Sequence, residues 1–389
     1  MKTRPSHAVI AGIGQTEFSK ESGRSEQQLA AECIKLALDD AGIAASDVDG
    51  VVTFTLDNSD DVSTMRSLGF DQLNYISRLP HGGGASVATL AHAQAAILSG
   101  TSEVVVIWRA MNERSQYRFG QPQQQIPVNA SGSTFAEWCM PFGAQSPASW
   151  EGVVAQRYMH QYGATNEDFG QVSVVLRKHA ATNPNAWFYE KPITIEDHQA
   201  SRWVVAPAIR LLDCCQESDG GVAIIVTTPE RAKDLKQTPV YLRGAVQRLP
   251  FEHEIISDYY YADDLTRQSI YSTTSRDLKQ QSGIAPKDTQ VAMIYDNFTP
   301  QIFSQLEGYG YCGVGESKDY VKDGHLELDG SSPLSPNGGH IGEGYIHGLN
   351  LMSEGVRQVR GTAANQVKNV ESVFLGAGVG GAIIAKGLD

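Results

Sequence analysis

The chain has 389 residues, a formal net charge of −13 and an isoelectric point near 5.2. That length exceeds one hydrophobic core and suits two substantial domains, and the acidic balance excludes a general nucleic-acid binder, whose affinity rests on neutralising phosphates. No apolar run reaches membrane-spanning length, no signal-peptide core opens the chain, and the five cysteines have no metal-ligand spacing, so a cytoplasmic protein with no metal site is expected.

HAVIAGIG (7–14) reads as a buried strand, and SEQQLAAECIKLALDDAG (25–42) as a helix. Ser25 and Gln28 make a capping box, Leu29, Cys33, Leu36 and Ala37 an apolar stripe, and Gly42 a stop. A strand VDGVVTFTL (48–56), a small-residue helix GASVATLAHAQAAILSG (84–100) and a wholly apolar strand EVVVIW (103–108) follow. Strands apolar throughout and alternating with helices indicate a sheet covered on both faces. Residues 114–212 break this rhythm with Gln, Pro, Trp and Tyr and read as an inserted loop subdomain. The α/β pattern resumes at GGVAIIVTT (220–228) and PVYLRGAVQ (239–247).

The chain repeats itself. AGIAASDVDGVVTF (41–54) matches SGIAPKDTQVAMIY (282–295), with Gly42, Ile43, Ala44 and Asp47 recurring as Gly283, Ile284, Ala285 and Asp288. Each copy continues with a glycine-rich loop, a helix ending near Gly-Thr (100–101 and 361–362) and an apolar strand. Two similar α/β halves related by a pseudo-twofold axis are expected, spanning 1–236 and 237–389. The loops HGGG (81–84) and NGGHIGEGYIHG (337–348) are then counterparts at the starts of two related helices. Helix N-termini carry unpaired N–H groups and positive dipole ends, which suit developing negative charge. The same glycines would also let two buried helices pack closely.

These features resemble the thiolase fold over nearly the whole chain. NGGHIGEGYIHG resembles the family's block ending in a catalytic histidine, with Tyr345 at that position. GAGVGGA (376–382) resembles its C-terminal glycine block, with Phe374 in place of a cysteine. YDNF (295–298) matches a third block, with Tyr295 at its first position, and HGGG covers the place of the nucleophilic cysteine. Without a thiolate there is no acyl-enzyme, so Claisen condensation is excluded. The tyrosine pair, with MPFGAQSPASWEGVVAQRYMHQYGAT (140–165), is similar to the lipid-transfer-protein-like branch and to its steroid side-chain-cleaving aldolases.

That resemblance implies retro-aldol cleavage of a β-hydroxyacyl-CoA steroid to a 17-ketosteroid and propionyl-CoA, with Tyr295 and Tyr345 catalytic. It implies no cofactor beyond the CoA of the substrate. It also implies an OB-fold/zinc-ribbon partner, alone or joined to an acyl-CoA hydratase, around a homodimer core for which EVVVIW is the expected contact strand. The residues leave open which tyrosine is acid and which is base. Gly83, Gly84, Asp296, His347 and Gly378 are further candidates for binding substrate. His340 and Glu343 share the Tyr345 loop. Enolate stabilisation is expected from backbone N–H groups, because the histidines lack a metal-ligand pair and no lysine lies in either loop. The other reading is a non-catalytic acyl-CoA or sterol carrier. HGGG lacks the G-x-S-x-G partner of an esterase, and GAGVGGA lies too near the end of the chain for a dinucleotide site. The run DYYYADDL (258–265) is a candidate channel or interface lining, and Cys214 and Cys215 are expected to pack structurally.

Overall fold

The computed structural model describes residues 5–56, 59–116, 118–121, 139–251, 262–267 and 269–388. Residues 258–261 of the DYYYADDL run lie outside them.

Nine strands form one mixed sheet: β1 (Val9–Gln15), β2 (Gly50–Phe54), β3 (Tyr75–Leu79), β4 (Val104–Asn112), β7 (Asp219–Thr227), β8 (Val240–Gln247), β9 (Val291–Ile294), β10 (Ser372–Ala377) and β11 (Gly380–Ala385). Two short strands, β5 (Trp203–Val205) and β6 (Ile209–Arg210), pair separately. The sheet order is β3-β2-β4-β7-β1-β8-β11-β10-β9. Within it the run β2-β4-β7-β1 is repeated by β9-β10-β11-β8. In both runs the first pair is parallel and the next two are antiparallel. The sequence repeat is therefore a repeat of topology. Gly42 and Gly283 take φ of 75° and 78°, and a 3₁₀ turn follows each, at Ala45–Asp47 and Pro286–Asp288.

The helices are α1 (Glu26–Ala41), α2 (Asp61–Leu68), α3 (Ala88–Ser99), α4 (Pro147–Tyr162), α5 (Asn166–Ala181), α6 (Ser269–Ser282), α7 (Thr299–Tyr309) and α8 (Leu349–Arg360), besides shorter turns. Ser25 caps α1 with the expected reciprocal bonds to Gln28. Its buried stripe differs from the expected one, because Leu36 is 42% exposed. Ala30, Ile34 and Leu38 form the row that packs on the sheet and swing the contact face away from Leu36. The counterparts α3 and α8 each pack on strands of both halves: α3 on β2, β4, β8 and β11, and α8 on β1, β7, β9, β10 and β11. Each helix is thus buried between the halves, and the loop at its start opens toward the other half.

EVVVIW is not an edge. β4 pairs with β2 on one side and β7 on the other, so its backbone groups are already satisfied. Among the described residues the free edge of this half is β3, YISRL, where Tyr75, Ser77 and Leu79 alternate with exposed Ile76 and Arg78. A continuous apolar run marks a strand buried on both faces, which is a central strand.

Candidate functional site

Tyr295 follows β9 and donates its N–H to the Gly376 carbonyl of β10 (2.9 Å). Tyr345 lies in the loop before α8, and its N–H donates to Ser218 Oγ (3.1 Å). The two side chains come from different segments of the C-terminal half, fifty residues apart, and their hydroxyls meet at 2.6 Å. Both residues are buried, 6% and 7% exposed. The His340 ring stands edge-on to both, 4.7 Å from Tyr295 and 5.0 Å from Tyr345 between centroids.

The HGGG loop meets this pair with main chain instead of side chains. A Cβ built on Gly83 would lie 2.0 Å from the Tyr295 hydroxyl oxygen and 3.2 Å from Cδ2 of His347. Only glycine leaves room there for both rings. A Cβ on Gly84 would meet nothing closer than Gly378 Cα at 3.7 Å, whereas one on Gly378 would lie 2.7 Å from Gly84 Cα. Gly378 has φ +43°, and the neighbouring Val379 N–H donates to the Gly84 carbonyl at 2.9 Å. The two glycine blocks therefore dock backbone to backbone beside the tyrosines.

The Tyr345 loop is fixed from every side. Asp296, fully buried, accepts from the N–H of His340 at 2.9–3.0 Å and of Ile341 at 3.3 Å. Its carboxylate holds the loop and does not reach the tyrosine hydroxyls. His340 Nδ1 lies 3.0 Å from Asp296 Oδ1 but off the axis of a hydrogen bond. Glu343 accepts from Asn337 (2.6 Å) and Asn350 (3.0 Å), and burial raises its carboxyl to about 7. The inserted segment closes the outer side: Cβ atoms on Gly338 and Gly342 would lie 2.6 and 2.5 Å from Cβ of Ala180 in α5, and Asn183 donates to the Asn337 carbonyl. Gly338 also has φ +104°, a conformation open to glycine. His347 does not join α8. It precedes Gly348, the residue before that helix, with φ +47°, and it accepts at Nδ1 from Arg109 Nη2 (2.5 Å).

Burial governs the protonation of the site. It pushes both phenols well above their ordinary value, and the mutual hydroxyl bond favours ionisation of Tyr295 while opposing that of Tyr345. Both tyrosines are neutral phenols at neutral pH. Nothing acting on either phenol offsets the loss of solvent. Glu113, at the end of β4 and 2% exposed, is raised well above the usual carboxylate range by burial and then by Glu217, against Arg109 and Lys20. Its charge would raise both phenols further. Arg109 and Glu113 were not among the residues singled out from sequence; a charged pair spaced i, i+4 at the end of an apolar strand is the signal that marks them.

Of the seven candidates, Tyr295, Tyr345, Gly83 and His347 converge, Gly84 and Gly378 pack together beside them, and Asp296 turns away to hold the loop. Among the described residues no group of His, Cys, Asp and Glu is placed to hold a metal, and no helix is long and apolar enough to cross a membrane.

Residues 252–387 match a family described as thiolase C-terminal domain-like. Over 382 residues, 98% of this chain and 97% of the relative, the sequence is 49% identical to the steroid side-chain-cleaving aldolase of Thermomonospora curvata. Over 375 residues, 96% of each, it is 50% identical to the 17-hydroxy-3-oxo-4-pregnene-20-carboxyl-CoA lyase of Mycobacterium tuberculosis. The chain belongs to the steroid side-chain-cleaving aldolase family of the thiolase superfamily. The solved Ltp2-ChsH2(DUF35) aldolase matches it with a TM-score of 0.91 at 48% identity, over 98% of both chains. A SCP2-thiolase-like protein type 1 of Mycobacterium smegmatis, at 19% identity and a TM-score of 0.68 over 99% of this chain and 78% of its own, shares the fold alone.

Proposed function

We propose that this chain is the catalytic subunit of an aldolase that cleaves a steroid β-hydroxyacyl-CoA to a 17-ketosteroid and propionyl-CoA. The observation that carries the reading is the buried hydroxyl–hydroxyl contact of Tyr295 and Tyr345 at 2.6 Å, beside a glycine that makes space for it. The relatives at 49% and 50% identity are named for this type of reaction.

Two neutral phenols in contact form a relay that moves a proton without leaving a lasting charge in the site. The carbinol proton of the substrate passes to one phenol oxygen as that phenol passes its own proton to the second. The carbinol oxygen becomes the ketone, the bond between the carbinol carbon and the α carbon breaks, and its electron pair moves into the thioester enolate. In the same relay the second phenol gives its own proton to the α carbon, so neither oxygen ever holds two protons. One proton enters, one leaves, and the pair returns to its starting state. CoA takes part only as the thioester of the substrate.

We further propose a partner of the OB-fold/zinc-ribbon type. The support is the 98% coverage of a relative whose name joins Ltp2 to ChsH2(DUF35). Two copies of this chain would pair through the free edge of β3, which carries exposed Ile76.

The test is to incubate the chain and its partner with 17-hydroxy-3-oxo-4-pregnene-20-carboxyl-CoA in heavy water. The expected products are the 17-ketosteroid and propionyl-CoA carrying one deuteron at the α carbon. Absence of the ketone, or undiminished turnover in both Tyr295→Phe and Tyr345→Phe, would sink the reading.

A further inference from the structure

His347 stands where three segments meet. Its left-handed backbone, uncommon for a residue with a side chain, persists because the surroundings fix it. Arg109 is fully buried in β4, and its guanidinium donates to the carbonyls of Phe54 (3.0 Å) and Leu56 (2.5 Å) as well as to His347 Nδ1. A guanidinium has only donors, so Nδ1 has to accept. The one ring proton of a neutral imidazole then sits on Nε2.

The ring is neutral. Burial, the Arg109 charge and His340, in that order, hold it well below the ordinary histidine value. Nε2 has no acceptor among the described residues. Cδ2, the carbon bonded to Nε2, lies 3.2 Å from the point where a Gly83 Cβ would stand, and the Tyr295 hydroxyl lies 2.0 Å from the same point. The Nε2 edge and the tyrosine pair therefore border one space, left by the side chain that Gly83 lacks. The Tyr345 ring, 5.0 Å away and at 79°, and the Phe119 ring at 5.3 Å pack against the imidazole.

We propose that His347 donates its Nε2–H to the thioester oxygen as the enolate forms, and that Arg109 is the positioning residue that fixes the tautomer able to do so. This rests on the aldolase reading above. Cleavage converts a weak carbonyl acceptor into an enolate oxygen, so a fixed donor there stabilises the transition state more than the bound substrate. A histidine whose unpaired nitrogen already carries a proton cannot be the base for the carbinol. The roles divide: the tyrosines move the proton, and His347 holds the charge.

The test has a spectroscopic arm that needs no turnover. In the full chain with ¹⁵N-labelled histidine, the His347 ring is expected to show a protonated Nε2 and a bare Nδ1 from about pH 5.5 to 8. An imidazolium, or the Nδ1–H tautomer, overturns the proposal in the wild-type protein itself. Arg109→Met is expected to release the tautomer, and an unchanged ¹⁵N pattern there overturns the part given to Arg109. With 17-hydroxy-3-oxo-4-pregnene-20-carboxyl-CoA, His347→Phe is expected to lower kcat about 100-fold or more while KM moves little, and His347→Gln, which keeps an N–H, to recover part of it. Turnover of His347→Phe within about threefold of wild type overturns the donor role. If the wild-type protein cleaves no such substrate, the aldolase reading fails while the tautomer result stands.

Discussion

The two glycine loops occupy equivalent places in the two halves and are built in opposite ways. HGGG contributes almost no side chain: Gly83 is a space, Gly84 a backbone contact for Gly378, and the Gly84 carbonyl an anchor for Val379. NGGHIGEGYIHG is filled, with Tyr345, His340 and His347 packed together and the segment held by Asp296, Glu343, Arg109 and the inserted helix α5. A repeated unit has thus been divided into a loop that leaves room and a loop that fills it with side chains. The teaching is that neither loop makes a site alone. The Tyr295 hydroxyl fits only because the opposite half has no side chain at position 83.

The contrast is broken most severely by removing the proposed relay. Tyr345→Phe and Tyr295→Phe are each expected to lower kcat by about 10³-fold, and the double variant little further, because each phenol works only through the other. Single-turnover cleavage of the CoA substrate measures this, and strictly additive losses would mean the two phenols act independently. Filling the empty loop comes next. Gly83→Ala places a methyl within 2.0 Å of the Tyr295 oxygen, so kcat is expected to fall about 100-fold with the fold intact. Gly84→Ala, where the nearest atom is 3.7 Å away, is the control and is expected to keep its melting temperature. Equal losses in kcat from both substitutions would remove the special role of position 83.

Much of this architecture was legible in the sequence, because duplication leaves marks in residues that geometry constrains. Gly42 and Gly283 recur since both need left-handed backbone, and Gly100 and Gly361 recur since both end a central helix. The tyrosines were legible by their place in the blocks that carry the family's chemistry. The contact strand implied by the resemblance, EVVVIW, is not an edge: it is apolar throughout because it lies between two strands. Arg109 escaped notice for a related reason. Its charge is compensated by carbonyls and an imidazole brought in from Phe54, Leu56 and His347, none of which is near it in sequence. His347 lies two residues before a helix, and only its backbone angle and its partner show that it is held outside that helix.

The remaining predictions act on the clamps of the filled loop and are smaller. Asp296→Ala strips the acceptor from two buried N–H groups and is expected to cost about 2–5 kcal/mol of stability, read by chemical denaturation. A loss under about 0.5 kcal/mol would show that the loop is held without it. Glu343 gives a finer test through pH. Its carboxyl is raised from 4.5 to about 7, so the folded state binds a proton more tightly than the unfolded chain does. Stability from this group is fully present below about pH 4.5 and declines as pH rises toward about 7. Glu343→Gln, which cannot ionise, is expected to flatten that decline by on the order of 1–3 kcal/mol across the window. The variant keeps an oxygen to accept from Asn337 or Asn350, so the clamp survives while its pH dependence does not. Parallel melting-temperature profiles for wild type and Glu343→Gln over this range would assign the proton to another buried carboxyl. Glu151, which burial raises to about 8 and whose carboxylate oxygens have no hydrogen-bond partner among the described residues, is the first to substitute in that case. It lies in the inserted segment rather than in the loop, so that outcome would move the pH sensitivity away from the site while leaving the contrast between the two loops in place.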